Sequence, residues 1–354
     1  MKTINNYFLI SAKRILVLIT IFLLALTGFP SFAQVKDWST DDRISSGTKE
    51  FLKILNNGGP ALESLSTDQM RLVLVNAQKA VKVDLSGVTT SEKTISSDGY
   101  KILIHIVKPI GAKPGIPVFV FTHGGGWILG DFPTHQRMVR DLVVRSGVAA
   151  VFVNYTRTPE AKYPQALNES YAVTKWVAEH GTEIGVNGKN LAIVGNSVGG
   201  NLATATALMA KAKNGPKIKL QILMWPTIDT DYNRESYQQF ATDRFLTASL
   251  MKFMYDLYST DPNVRQDIYY SPLKASTSAL SGMPPTLIQV AENDILRDEG
   301  EAYGRKLDQA GVKTTTLRYD GMIHDFGLLN GLAELQQTKA LFDHAALALK
   351  TYLK

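Results

Sequence analysis

Two hydrophobic periods divide the chain. Before residue 85 the apolar positions fall at helical spacing: Met70, Val73, Leu74, Ala77 and Val81 recur at steps of three and four. Ser66-Thr67-Asp68-Gln69 precedes them with the spacing of a capping box. Leu65 and Met70 stand where a hydrophobic staple forms. From Ser91 the pattern changes to strands. Ser91 to Pro109 reads as a hairpin turning at Asp98-Gly99. Apolar runs follow at Val118–Phe121, Ala149–Val153, Leu191–Val194, Leu220–Met224 and Thr286–Val290, with a more polar one at Thr314–Tyr319. Helix-length segments separate most of them. Near-continuous apolar strands alternating with helices predict a mostly parallel sheet covered on both faces, an α/β fold.

One connection breaks the alternation. Between Trp225 and Pro284 no strand pattern appears, and crossovers in such sheets are usually far shorter. This segment is an insertion. It carries an amphipathic stretch with Leu246, Leu250, Met251, Met254, Leu257 and Tyr258 on one side. With the N-terminal helices it is expected to form a cap, from about 36–85 and 226–284.

The first residues follow a third pattern. Lys2, Lys13 and Arg14 precede an apolar run from Ile15 to Leu26, and Ser31-Phe32-Ala33 supplies small residues for a signal peptidase. This layout predicts a cleavable export signal over 1–33, cut after Ala33, and a periplasmic or secreted protein without a membrane span. The run is short of the roughly 20 residues that cross a bilayer, and an uncleaved anchor is the competing reading. Removing 1–33 leaves 35 basic and 32 acidic residues, a formal charge of +3. No block of like charge remains, so nothing points to nucleic acid. The chain has no cysteine, which excludes thiol catalysis and thiolate metal sites. No H-E-x-x-H, dinucleotide loop or Walker loop is present, and no metal or cofactor is expected.

Two glycine-rich turns carry the candidate chemistry. Gly195-Asn196-Ser197-Val198-Gly199 follows the run Leu191–Val194 and precedes a helical stretch. That is the setting of a nucleophile elbow, a sharp strand-to-helix turn that exposes a serine. His123-Gly124-Gly125-Gly126-Trp127 follows the run Val118–Phe121. Its consecutive glycines let backbone N–H groups turn toward a substrate oxygen, with Val198 adding another, so Gly124, Gly125, Gly126 and Val198 are the oxyanion-hole candidates. A serine nucleophile needs a histidine base and an acid that fixes its tautomer. His324 and Asp294 both follow strand patterns, in the order serine, acid, histidine. His344 and Asp298 are the rivals; both fall in helical patterns. Trp127, Phe245, Leu246, Met251 and Met254 are candidates to line the substrate pocket, or simply to pack the cap.

At these residues the chain resembles the hormone-sensitive-lipase-like (family IV) bacterial esterases. The resemblance runs from about Ser66 to Leu329. It rests on His123–Trp127, Tyr155–Pro164, Gly195–Asn201, Asp294–Gly300 and Gly321–Phe326. It implies an α/β-hydrolase fold with a small helical cap and a Ser197–Asp294–His324 triad. It implies oxyanion N–H groups from Gly125, Gly126 and Val198, with Gly124 shaping the loop. It also implies a small-molecule ester of short to medium acyl length as substrate and no cofactor. An amidase or sugar-ester deacetylase using the same triad, and a non-catalytic binder on the same fold, remain as alternatives. The oligomeric state is open between monomer and homodimer. The family usually carries aspartate before the nucleophilic serine; this chain has Asn196, which puts the local electrostatics in question.

Overall fold

The computed structural model describes residues 36–353; the export-signal reading of 1–33 lies outside them. Eight strands form one sheet in the order β1-β2-β4-β3-β5-β6-β7-β8. β1 (Val88–Ser97) and β2 (Tyr100–Pro109) are the expected hairpin, paired antiparallel with Ser97 opposite Tyr100. β2 joins β4 (Ala149–Val153) antiparallel. The remaining strands, β3 (Ile116–Thr122), β5 (Val186–Asn196), β6 (Gln221–Met224), β7 (Thr286–Asn293) and β8 (Thr314–Ile323), run parallel with their neighbours and with β4.

The apolar runs are continuous because both faces of the sheet are covered. Alternate residues serve opposite layers. Val118, Val120, Ala149 and Val151 pack with helices α4 (Gln165–His180) and α5 (Val198–Ala212). Phe119, Phe121, Ala150 and Phe152 pack with α3 (Phe132–Ser146) and α10 (Gln336–Tyr352). A third cluster joins β6 and β7 to α9 (Arg297–Gln309) through Leu223, Ile288, Tyr303 and Leu307.

The N-terminal segment forms α1 (Ser46–Leu55) and α2 (Thr67–Lys79). The Ser66–Gln69 capping box is made in both directions. The insertion after β6 holds the short helix α6 (Glu235–Gln239), the amphipathic α7 (Ala248–Tyr258), and α8 (Thr277–Leu280). The Thr247 hydroxyl caps α7 by accepting from the Leu250 N–H. Leu250, Met251, Met254, Tyr255 and Tyr258 of α7 are buried. Among the described residues no helix is long and apolar enough to cross a membrane.

β4 and β5 lie on opposite sides of β3, so the chain order reverses there. Ligand sites in open parallel sheets form at the carboxyl ends of the strands, beside such a reversal. His123 follows β3 and Ser197 follows β5 at that place.

Candidate active site

Ser197 occupies a left-handed turn between β5 and α5, with φ 53° and ψ −126°. Only close backbone packing permits it. A Cβ on Gly195 would sit 2.1 Å from the Gly199 carbonyl oxygen, and one on Gly199 would sit 2.0 Å from that of Thr122. Both positions must be glycine for the turn to close. The Ser197 N–H donates to Met224 O at 2.9 Å and its carbonyl accepts from Thr227 and Asn201, which fixes the turn against β6 and α5.

The turn brings three distant side chains into one line. His324 Nε2 lies 3.0 Å from Ser197 Oγ, and His324 Nδ1 lies 2.7 Å from Asp294 Oδ2. The other Asp294 oxygen accepts the Leu296 N–H at 2.9 Å, so the carboxylate is aimed by its own loop. All three residues are buried. Burial disfavours the charged imidazole of His324, but the carboxylates of Asp294 and Asp325 and the hydrogen bond to Asp294 outweigh it. The net effect raises its pKa above the ordinary histidine value. The rivals lie elsewhere. His344 Nδ1 bonds the Tyr319 hydroxyl at 2.8 Å, and Asp298 pairs with Arg297 and accepts the Ser236 N–H.

The four oxyanion candidates divide. The Gly124 N–H donates to Asn196 Oδ1 at 3.0 Å and is therefore not free for a substrate oxygen. Gly124 shapes the loop. Among the described residues, no backbone or side-chain acceptor takes the N–H groups of Gly125 or Gly126. Val198 is the first residue of α5, where N–H groups have no partner within the helix and the dipole favours negative charge.

The loop that holds these N–H groups is braced on every side. Leu129 N–H donates to Gly125 O at 2.7 Å. The Tyr155 hydroxyl donates to His123 O at 2.9 Å, and the His123 ring stacks on Tyr155 at 4.0 Å between centroids. Arg157 donates to Gly130 O at 2.6 Å, and Arg71 of α2 donates to Ile128 O and Thr158 O. The Tyr155–Pro164 segment is thus a brace for the glycine loop. Burial pushes the His123 pKa well down, so the ring is neutral.

Residues of the insertion after β6 lie against this loop. Gly126 has φ 63°, and a Cβ there would lie 2.0 Å from Met254 Sδ, so Met254 lies against the loop itself. Trp127 stacks on Tyr258 with centroids 4.2 Å apart and packs with Tyr255, Met251 and Leu246 in one apolar cluster. Phe245, with φ 74°, faces the imidazole of His324 at 6.5 Å and 19° between planes. Of the five pocket candidates, Met254 lies against Gly126 and Phe245 faces His324, while Trp127, Leu246 and Met251 are buried in the apolar cluster that also holds Met254.

Sequence reasoning missed Asp325 and Trp225. Asp325 Oδ1 accepts from Asn196 Nδ2 at 3.1 Å and from Trp225 Nε1 at 2.6 Å. No periodicity marks either residue. The sequence signals were the asparagine at 196 and, for Asp325, its place in the segment Gly321–Phe326. No group of residues suited to a metal ion occurs among the described residues. A cleft of about 640 Å³ lies elsewhere, lined by Arg43, Arg234, Arg297 and Arg318 among others. Its arginines are paired with Asp41, Asp229, Asp298 and Glu301, which leaves little capacity for an anion.

A family model described as alpha/beta hydrolase fold matches residues 119–328, more than half of the chain and all of the site. The chain belongs to the α/β-hydrolase family. Within it, the chain falls in the hormone-sensitive-lipase-like branch. It is similar to the crystal structure of a thermostable esterase from Pseudomonas putida ECU1011, with 52% identity and a TM-score of 0.88 over 89% of this chain and 99% of that one. An ethyl acetate hydrolase of Pseudomonas putida is 29% identical over 77% of this chain and 87% of its own length. A carboxylesterase of Mycobacterium tuberculosis is 32% identical over 66% of this chain and 74% of its own. This α/β-hydrolase thus lies among proteins named as ester hydrolases, and its buried Ser–His–Asp line falls inside the matched region.

Proposed function

We propose that this α/β-hydrolase cleaves carboxylic esters of short to medium acyl length, with Ser197 as nucleophile. The observation that carries the reading is the continuous line from Ser197 Oγ through His324 to Asp294, beside unpartnered N–H groups on Gly125 and Gly126.

The chemistry follows from the parts. His324 Nε2 takes the Ser197 proton as the oxygen attacks the ester carbonyl. Asp294 holds the Nδ1–H tautomer and stabilises the imidazolium. The N–H groups of Gly125, Gly126 and Val198 receive the developing oxyanion, where loss of one donor costs about 3–4 kcal/mol of barrier. His324 returns the proton to the leaving alcohol. Water, activated by the same imidazole, then releases the acid from the acyl-enzyme. The short-acyl preference is supported by Met254 and Phe245, which narrow the space beside the glycine loop and His324. With residues 1–33 acting as an export signal, the enzyme works outside the cytoplasm.

A series of chromogenic esters from acetyl to dodecanoyl, run beside the matching anilides, tests this. The expected result is ester hydrolysis that peaks at short acyl chains, with little anilide cleavage. Anilide cleavage without ester cleavage would reject the ester reading.

A further inference from the structure

The side chain of Asn196 joins two loops that, among the described residues, no backbone–backbone hydrogen bond joins. Its Oδ1 accepts the Gly124 N–H at the start of the glycine loop, and its Nδ2 donates to Asp325 Oδ1 beside His324. The amide orientation is set by its partners. A backbone N–H can only donate and a carboxylate oxygen can only accept, so oxygen must face Gly124 and nitrogen must face Asp325. Asn196 is fully buried, so neither bond is exchanged for water.

Asp325 has a second donor. Trp225 Nε1 reaches the same oxygen, Oδ1, at 2.6 Å. The other oxygen, Oδ2, lies 3.9 Å from His324 Nε2, the nitrogen that faces Ser197. The carboxylate therefore accepts two hydrogen bonds on one oxygen and turns the other toward the imidazole. Two groups titrate around it. One is His324, which also faces Asp294. The other is His135 of α3, held neutral by burial at about 4. Asn196 and Trp225 carry no charge.

We propose that Asn196 and Asp325 act as a matched pair of positioning residues: the amide holds Asp325 as a second carboxylate beside His324 and, through Gly124, ties that loop to the oxyanion loop. Asp294 fixes the tautomer from one side of the ring. Asp325 adds negative charge near the nitrogen that receives the serine proton, where positive charge develops. The donor at 196 is what makes this compatible with the rest of the core. Asp325 Oδ1 must remain an acceptor for Trp225, so whatever stands at 196 has to donate to it.

An aspartate at 196 has the same shape and keeps the Gly124 bond. It would place a carboxylate oxygen against Asp325 Oδ1, and the two could coexist only by sharing a proton. Such a pair releases that proton at a raised pKa. Above it, repulsion would separate the two loops.

The experiment compares kcat/KM from about pH 5 to about pH 9 for wild type, Asn196→Asp and Asp325→Asn, with circular dichroism across the same range. For Asn196→Asp, activity relative to wild type is expected to fall at least about tenfold from the acidic to the alkaline end, as the shared proton is lost. For Asp325→Asn, which keeps an oxygen for both donors and puts a neutral NH2 in place of the charged oxygen beside the imidazole, the acidic limb is expected to move about half a unit to one unit lower. A pH-independent loss in Asn196→Asp would mark a merely structural role and overturn the pairing. So would an upward shift of its acidic limb without alkaline loss, since that is the effect of added charge alone. Should Asn196→Asp not fold, Asp325→Asn decides: an unmoved acidic limb overturns the proposal. The inference rests on the Ser197–His324 chemistry above. Survival of activity in Ser197→Ala would sink that chemistry, whereas superimposable pH profiles on an active enzyme would sink only the pairing.

Discussion

Asp41 and Arg244 stand 203 residues apart and meet in a buried ion pair of 2.9 Å. Arg244 also donates to Lys36 O, and Arg43 closes on the same carboxylate at 2.8 Å. The guanidinium carbons of Arg43, Arg244 and Arg297 lie about the Phe240 ring at 5.2, 5.4 and 5.0 Å. The residue after Arg244 is Phe245, whose ring faces His324. The pair therefore locks the N-terminal segment to the loop of the insertion whose Phe245 ring faces His324.

Breaking that pair should cost both stability and turnover. Asp41→Ala leaves Arg244 buried without its carboxylate, a change worth about 3–5 kcal/mol. Chemical denaturation at neutral pH should show a loss of this order, and kcat/KM for short esters should fall as Phe245 loosens. The sign with pH is fixed. Burial alone would push the Asp41 carboxyl up, but hydrogen bonds from Arg43 and Arg244 hold it well below the usual range. Its contribution is complete above the unfolded carboxylate pKa and is lost as pH falls toward the folded one. The stability gap between wild type and Asp41→Ala should therefore be full at neutral pH and shrink in strong acid.

Removing a member of the Ser197–His324–Asp294 line should abolish turnover without unfolding the chain. Ser197→Ala and His324→Ala are expected to lose roughly 10⁶-fold in kcat, and Asp294→Asn roughly 10⁴-fold, because the amide admits the wrong tautomer. Steady-state kinetics with thermal melts of each variant checks this. Ser197→Ala retaining a sizeable share of the rate would contradict the assignment.

The raised pKa of His324 should set the acidic limb of the proposed reaction. The base works only when deprotonated, so kcat/KM should rise with pH through a midpoint above the ordinary histidine value. The same protonation favours the fold. The contribution of His324 to stability is present below its unfolded pKa and is lost as pH rises through the higher folded one. A pH–rate profile with its midpoint below the ordinary value would contradict the charge arrangement around the ring.

Much of this architecture was legible in the chain itself, and what was not has a physical reason. The hairpin at Asp98-Gly99, the parallel strands and the capping box at Ser66 rest on local period and turn chemistry, which sequence displays directly. Ser197, Asp294 and His324 could be selected because each follows a strand pattern. Gly124 was placed with the oxyanion donors because its neighbours are glycines; only the fold reveals that its N–H is spent on Asn196. Trp225, Asp41 and Arg244 carry no signal, and Asp325 only its place beside His324 in Gly321–Phe326. Their partners lie far along the chain, and a buried charge resembles an exposed one until its partner is seen. Leu246 and Met251 share their helical-face signal with Met254, and Trp127 is marked only by its place after the glycines, because packing the core and lining a pocket demand the same apolar residues.

Met254 should govern acyl length. Its sulfur occupies the space beside Gly126, so Met254→Ala opens room next to the glycine loop. The variant should gain relative kcat/KM on octanoyl over acetyl esters by about tenfold, while losing about 2–5 kcal/mol of stability from the cavity. An unchanged ratio across the ester series would place the acyl chain elsewhere.

The central claim is that Ser197 is the nucleophile, and covalent trapping tests it most directly. A phosphonate ester with a chromogenic leaving group should react once per chain. The intact mass should rise by one phosphonyl group, and peptide mapping should place that group on Ser197. Ser197→Ala should remain unlabelled under the same conditions. A label on another residue, or equal labelling of Ser197→Ala, would contradict the account.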